Sequence, residues 1–526
     1  MMEDEASTLD LARKLGITIL TGYITPSLNR EIYQKVPYQF VTSHKVLPYK
    51  EEQDAILVAM SDPFDLEPLE ELKQMLGKKI KPVYASEEAL QSAIHDCYNI
   101  ESGTTTELIA KLSGQSSDGT SDDEYETFDL LSDPEHLPPV IRLINLYFTE
   151  AIQQGASDIH FEPSETGLKV RYRIDGVLQK RHAPSPELQA QLLARIKVMS
   201  KMDIAERRLP QDGRIKLKMG RREIDFRVST VPIVDGERIV LRILDRGNVL
   251  VGLNHLGMMA ELKEQFEKLI RYPEGIILVT GPTGSGKTTT LYSAISELTN
   301  EESNIMTIED PVEYNLKGIA QIGVQPKIKL DFATGLRHIL RQDPDIIMIG
   351  EIRDIETANI AIQASLTGHL VFSTLHTNDA PSAVTRLVDM GVEPYLLSSS
   401  LIGVLAQRLV RKICPDCKEN YVPQDSELES IGLKREDLKE GVLARGKGCL
   451  SCYQSGFKGR HGIYELMLDT PAVKKQMLKS PDAQEMRKVA LENGMRSLLY
   501  HGAELVKSGL TTVAEVLRAT RGFEEE

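Results

Sequence analysis

Gly281-Pro282-Thr283-Gly284-Ser285-Gly286-Lys287-Thr288 follows the pattern G-x-x-x-x-G-K-[ST], whose chemistry is the grip on a polyphosphate. Its glycines let successive backbone N–H groups converge on phosphate oxygens at the positive end of a helix. Lys287 has the reach for the β- and γ-phosphates, and the Thr288 hydroxyl can hold Mg²⁺. The context required is strand, loop, helix. Gly275-Ile276-Ile277-Leu278-Val279-Thr280 before the loop reads as a buried strand, and Thr289 to Leu298 continues as a helix.

Further polar chemistry sits at the ends of three more apolar runs. Asn304-Ile305-Met306-Thr307-Ile308 leads into Glu309-Asp310-Pro311-Val312-Glu313, Asp345 to Gly350 leads into Glu351, and Leu370 to Leu375 leads into His376-Thr377-Asn378-Asp379. A Mg²⁺ ion on phosphates needs a carboxylate at the end of a neighbouring strand, and Glu351 is the candidate for the metal or its water shell. An attacking water needs an acceptor; Glu309, Asp310 and Glu313 are available, and Glu309 is favoured. His376 is placed to contact a γ-phosphate through a ring N–H, and His369, at the start of its strand, is the weaker candidate.

Arginines crowd an earlier stretch: Arg207-Arg208, Arg214, Arg227, then Arg238 to Arg242. They alternate with apolar or turn residues, so they should project from one side of a sheet. A solvated face is the commoner fate of any single one, but together they carry the charge to meet a transferred phosphoryl group. Near the other end, Cys414, Cys417, Cys449 and Cys452 spell C-x2-C-x31-C-x2-C, two knuckles that suit one tetrahedral Zn²⁺. The rival, a redox C-x-x-C, lacks thioredoxin-like surroundings. Cys97 stands alone and reads as a small packing residue.

These residues need a scaffold. Helical stretches separate the four apolar runs, notably Asp331 to Gln342, with Phe332, Leu336, Ile339 and Leu340 on one stripe and Asp331 as a cap. Such alternation specifies a parallel α/β sheet, and ligands of these sheets bind outside the carboxyl ends of the strands. The fold expected is multidomain α/β. Residues 1–100 form a small α/β module, with a helix from Leu9 to Gly16, strands at Leu47 to Tyr49 and Ala55 to Met60, and a helix at Leu66 to Leu76. Residues 101–136 are an acidic linker: between Gln115 and His136 there are eight acidic residues and no Lys or Arg. Residues 137–245 form the arginine-rich module, and 246–526 the phosphate-loop module with its cysteine insert at 414–452, whose interior from Lys418 to Lys447 reads as loop.

Whole-chain properties narrow the function. Across 526 residues, 62 basic and 77 acidic side chains leave a net charge of −15, which disfavours a grip on nucleic acid. No apolar run approaches membrane-spanning length and the first residues are acidic, so a cytoplasmic chain is expected.

The motifs in combination resemble the secretion ATPase superfamily of type II secretion and type IV pilus systems. Ser157-Asp158-Ile159-His160-Phe161-Glu162-Pro163, the Walker A loop, the Asp box at Thr307 to Tyr314, the Walker B stretch at Asp343 to Asp354, the His box at Gly368 to Ala380 and the tetracysteine insert all look like its landmarks. They span Pro139 to Phe523. Val36-Pro37-Tyr38-Gln39-Phe40 and Val46-Leu47-Pro48 look most like the type II secretion branch, with the pilus assembly ATPases as the alternative. The resemblance implies a RecA-like ATPase domain behind a PAS-like domain, with ATP, Mg²⁺ and Zn²⁺ as cofactors. It also implies a homohexamer in which arginines of the second module, among Arg207, Arg208, Arg214, Arg227 and Arg242, close on the nucleotide. An N-terminal domain docked on the cytoplasmic part of an inner-membrane secretion protein, a platform protein in that membrane, peripheral membrane association and extrusion of pseudopilins are the remaining expectations.

Overall fold

The structure is a computed structural model that describes residues 138–219, 222–245 and 252–520, with shorter stretches between 18 and 129. The expected helix at Leu9 to Gly16, most of the acidic linker, and Cys97 lie outside the described residues. The chain divides into two units, residues 1–172 with 180–243, and 173–179 with 244–526.

In the first unit, β1 (Ile19–Leu20), β2 (Val46–Glu52), β3 (Ala55–Met60) and β4 (Lys79–Ala85) form a four-stranded sheet in the order β1-β4-β3-β2, with helix α1 (Glu67–Leu76) between β3 and β4. Leu69 and Leu72 of α1 are buried with Val58 and Val83 of the sheet, which accounts for the helical spacing of those leucines. A seven-stranded sheet follows. Its members are β5 (Phe128–Asp129), β6 (Ala156–Ser164), β7 (Gly167–Ile174), β8 (Val177–Lys180), β9 (Gln211–Met219), β10 (Arg222–Ile233) and β11 (Gly236–Asp245), in the order β5-β9-β10-β11-β6-β7-β8. Helices α2 (Pro139–Gln153) and α3 (Pro186–Met199) accompany it. On β9 and β10 alternate residues are buried: Ile215 and Leu217 oppose Phe226 and Ile224 on the core face, which leaves the charged residues between them on the other.

The second unit is built on a parallel sheet. Strands β12 (Gly275–Thr280), β13 (Ile305–Glu309), β14 (Ala320–Gly323), β15 (Ile346–Ile349), β16 (Leu370–Leu375), β17 (Leu401–Ile413) and β20 (Phe457–Leu468) run in the order β14-β13-β15-β16-β12-β17-β20, all neighbours parallel except the β17 and β20 pair. Helices α4 (Ala260–Leu269), α5 (Lys287–Leu298), α6 (Phe332–Ile339), α7 (Ile355–Leu366), α8 (Ala380–Asp389) and α9 (Pro394–Ser400) alternate with the strands. All six residues of β12 are buried: Ile276 and Leu278 join the core on one face, Ile277 and Val279 the core on the other. A strand covered on both sides must be apolar throughout, and each such side chain contributes about 1.5–3 kcal/mol relative to exposure. Aspartates start three of the helices, as Asp331, Asp354 and Asp379 accept N–H bonds from Thr334, Thr357 and Ser382, each at 2.8 Å.

The cysteine insert is more ordered than a loop. Antiparallel β18 (Lys418–Tyr421) and β19 (Leu443–Gly446) flank the short helix α10 (Asp425–Glu429), and Leu428, Ile431, Leu433 and Leu438 are buried beneath it. These residues share no single helical or strand period, so no one pattern marks them all in the sequence. Four helices end the chain: α11 (Pro471–Lys479), α12 (Ala483–Glu492), α13 (Leu498–Lys507) and α14 (Val513–Thr520). In α14, buried Glu515 accepts Arg411 at 2.6 Å and Arg518 at 2.8 Å, which ties the helix to β17 three residues before Cys414.

Candidate active site

The parallel register sets the polar strand ends side by side. Thr280 pairs with Leu375, Ile349 with Ser373, and Ile308 with Ile349, so the segments that follow β12, β16, β15 and β13 leave the sheet at one edge. The phosphate loop is shaped by close approach. A Cβ on Gly281 would lie 2.4 Å from the Gln407 carbonyl oxygen, and Gly286 takes a left-handed φ of 88° as it caps α5. Pro282, Thr283 and Gly284 are exposed, Thr288 and Thr289 half-buried. Ser285 Oγ is buried without a hydrogen-bond partner among the described residues, a group left for a ligand oxygen to satisfy.

Lys287 is buried and donates to the carbonyls of Gly281 at 2.7 Å and Pro282 at 3.2 Å. Burial pushes its ammonium down to about 8, with Glu351 opposing and Arg408 adding to the shift. A cation made costly by burial and held only by neutral carbonyls is poised to exchange them for phosphate oxygens. The loop therefore fits a polyphosphate on its own geometry.

Glu351 lies two residues beyond β15. It accepts from His376 Nε2 at 3.2 Å and pairs with Arg353. Burial raises the Glu351 carboxyl, but the hydrogen bonds and charges of Arg353 and His376 outweigh it and hold the group below its ordinary range. Arg353 also lies 3.8 Å from Asp310 and over the Phe332 ring, so it bridges the ends of β15 and β13. Glu309 is set differently. Only 3% exposed, its Oε1 accepts from Thr307 at 2.6 Å and Gln321 at 3.0 Å, and its Oε2 from the Tyr292 hydroxyl. Glu309 is thus wired to α5 and β14, whereas Glu351 keeps an accessible carboxylate. His369 is held within its own turn, Nδ1 lying 2.8 Å from the Ala364 carbonyl.

Four members of this network went unread in the sequence: Tyr292, Gln321, Arg353 and Arg408. Tyr292 had a signal, since it lies five residues after Lys287 on the same helix; Gln321 and Arg408 stand on strands that only the folded sheet brings to the site.

The arginines belong to the first unit. Arg208 is exposed, 3.7 Å from the Glu206 carboxylate, and Arg242 is 3.2 Å from Asp158. Arg214 and Arg227 are directly opposite each other on β9 and β10. The next pairs along that face are Lys216 with Asp225 and Lys218 with Glu223, so opposite charges alternate until this one like-charged pair. Like charges facing across a ladder are destabilising, so this pair stands apart from the charge-matched pairs beside it.

The four cysteine sulfurs converge within 4.8 Å of one another. Separations of 3.9 Å (Cys414 to Cys449), 3.8 Å (Cys417 to Cys452) and 3.7 Å (Cys449 to Cys452) match the edge of about 3.8 Å that a tetrahedron with Zn–S bonds near 2.3 Å requires. Backbone N–H groups support the sulfurs: Gly448 donates to Cys417 at 3.3 Å, and Cys449 and Gly456 donate to Cys452 at 3.2 and 3.3 Å. Burial opposes ionisation of Cys452, yet those two N–H bonds, together with hydrogen bonds from the Cys449 and Cys417 thiols, prevail and bring its thiol to about 6. The set fits a closed thiolate metal site.

The protein-family description "Type II/IV secretion system protein" matches residues 133–518, which include the phosphate loop, Glu351, His376 and all four cysteines. The chain belongs to that family. A second description, the MshEN domain, matches residues 24–104. The type II secretion system ATPase E of Vibrio cholerae is 44% identical over 95% of this chain and all of its own length. The type IV pilus assembly ATPase PilB of Myxococcus xanthus is 44% identical over 93% of this chain and 87% of its own. Among solved structures, the ATPase DotB of Yersinia pseudotuberculosis superposes with a TM-score of 0.54 at 21% identity, covering 76% of this chain and 96% of that one, a likeness of fold. This secretion ATPase hydrolyses ATP. No helix among its described residues is long and apolar enough to cross a membrane.

Proposed function

We propose that this ATPase drives type II protein secretion as a hexameric motor, and that hydrolysis takes place where the loop 281–288 meets the ends of β13, β15 and β16. The observation that carries the reading is the convergence of Lys287, which is buried, with Glu351 and His376 on one sheet edge. Lys287 leaves the Gly281 and Pro282 carbonyls for β- and γ-phosphate oxygens. The N–H groups from Gly281 to Thr289, with the Ser285 hydroxyl, enclose the rest of the polyphosphate.

Thr288 and Glu351 are the residues that would hold Mg²⁺, which would supply positive charge against that developing on the phosphates. His376 fixes Glu351 and presents its other face to the γ-phosphate. Glu309 accepts the proton of the attacking water once Tyr292 or Gln321 yields its hydrogen bond. Arg208, Arg214 and Arg227 supply the remaining positive charge; the like-charged pair of Arg214 and Arg227 supports this assignment. Cys414, Cys417, Cys449 and Cys452 hold a structural Zn²⁺.

The N-terminal domain docks on the cytoplasmic domain of an inner-membrane secretion protein, with a membrane platform protein as the second partner, and the chain works at the inner face of that membrane. The 44% identity to the pilus assembly ATPase supports a second reading, pilus assembly. Phosphate release by the full chain, measured alone, with purified cytoplasmic domains of type II or pilus membrane partners, and with single-stranded DNA, tests the assignment. Stimulation by the type II domain alone is expected. Stimulation by the pilus domain supports the second reading, and stimulation by DNA contradicts both.

A further inference from the structure

Five consecutive residues after β16 are each anchored to a different part of the second unit. His376 meets Glu351, and the Thr377 hydroxyl lies 2.7 Å from that of Thr280, at the end of β12. Asn378 accepts Arg408 of β17 through its carbonyl at 2.9 Å and its side chain at 3.0 Å. Asp379 pairs with Arg487 of α12. The N–H of Ala380 donates to Glu465 of β20 at 3.0 Å. The hydrolysis reading uses only the first of these contacts.

Glu465 is a costly group in this place. It is 1% exposed, and its second oxygen accepts the N–H of Leu498, the first residue of α13, at 3.3 Å, with Arg487 3.9 Å away. One buried carboxylate thus satisfies the leading N–H of both α8 and α13, groups that a helix leaves without internal partners. A buried charge is tolerated only where pairing and hydrogen bonds compensate it, so Glu465, Arg487 and the two helix starts hold one another in register. Contacts through Asp379 to Arg487 and through Ala380 to Glu465 thus connect loop 376–380 to α12 and α13.

We propose that Glu465 and Arg487 are positioning residues that couple the loop 376–380 to helices α12 and α13, so that the C-terminal helices set the rate of hydrolysis. The proposal rests on the reading that His376 faces the nucleotide.

Arg487 is the better probe, since its side chain is 37% exposed and its replacement opens no cavity in the core. Full-length Arg487→Gln should hydrolyse ATP about tenfold more slowly, the usual scale for losing a supporting contact behind an active site. Its KM for ATP should stay at the parental value, and Arg487→Lys should recover most of the rate. A second readout separates coupling from simple stability. A non-hydrolysable ATP analogue should slow amide hydrogen exchange across residues 497–506 in the parent and leave it unchanged in Arg487→Gln. Parental kcat in Arg487→Gln, or an unaltered exchange response, overturns the coupling if Lys287→Ala is inactive in the same assay. Activity in Lys287→Ala overturns the reading of the site and the coupling with it.

Discussion

Lys287→Ala is expected to lower kcat for ATP hydrolysis by at least about a hundredfold while the fold stays intact, the scale found when a preorganised donor to a developing charge is removed. The side chain is buried against two carbonyls, and its ammonium is already made unfavourable by desolvation, so alanine removes an electrostatic liability from the ligand-free protein. Its thermal midpoint should therefore match or exceed the parent's. The same burial predicts how affinity depends on pH. With a ligand-free value of about 8, Lys287 is charged below that pH and must take up a proton to bind phosphate above it. ATP affinity should weaken as pH rises through about 8, and calorimetry in buffers of different ionisation enthalpy should register proton uptake. Neither effect should survive in Lys287→Ala.

Removing the metal from the cysteine site should have the second largest effect. Four sulfurs at tetrahedral spacing, two of them accepting three backbone N–H bonds, fit a site whose binding energy is folding energy, about 10–16 kcal/mol in small zinc domains. Here the insert also buries Leu428, Ile431, Leu433 and Leu438, so part of its order has another source. Cys452→Ser is expected to abolish zinc by elemental analysis and to open residues 414–452 to proteases. The thermal midpoint should fall by several degrees, the scale of a few kcal/mol in a domain of this size. Zinc retained at parental stoichiometry in Cys452→Ser would contradict a four-thiolate site.

The sequence and the structure agree most closely where chemistry is local. The loop 281–288, the strand before it and the helix after it are a contiguous signal, because phosphate binding demands that order along the chain. The strand ends at Glu309, Glu351 and His376 were legible for a related reason: short apolar runs that end in charge and alternate with helical stretches fit a buried parallel sheet. The partners of those residues were not. Tyr292 and Gln321 reach Glu309 from α5 and β14, and Arg353 joins β15 to the Asp310 side, contacts that depend on how the elements pack. Arg214 facing Arg227 required the β9 and β10 register, which a one-residue slip would have changed. Glu465 stood in view within Gly462-Ile463-Tyr464-Glu465, but an acidic residue in an apolar run gives no sign of the two helix starts it will meet. In the insert, the structure replaces the expected loop with a hairpin and a short helix, whose buried residues share no single period.

The carboxylate after β15, held by His376 and Arg353, is proposed to serve the chemical step at the phosphate loop. Single-turnover phosphate release by full-length Glu351→Gln with saturating ATP tests it most directly. ATP should remain bound with near-parental affinity while phosphate release slows by at least about a hundredfold. Release at the parental rate would contradict it.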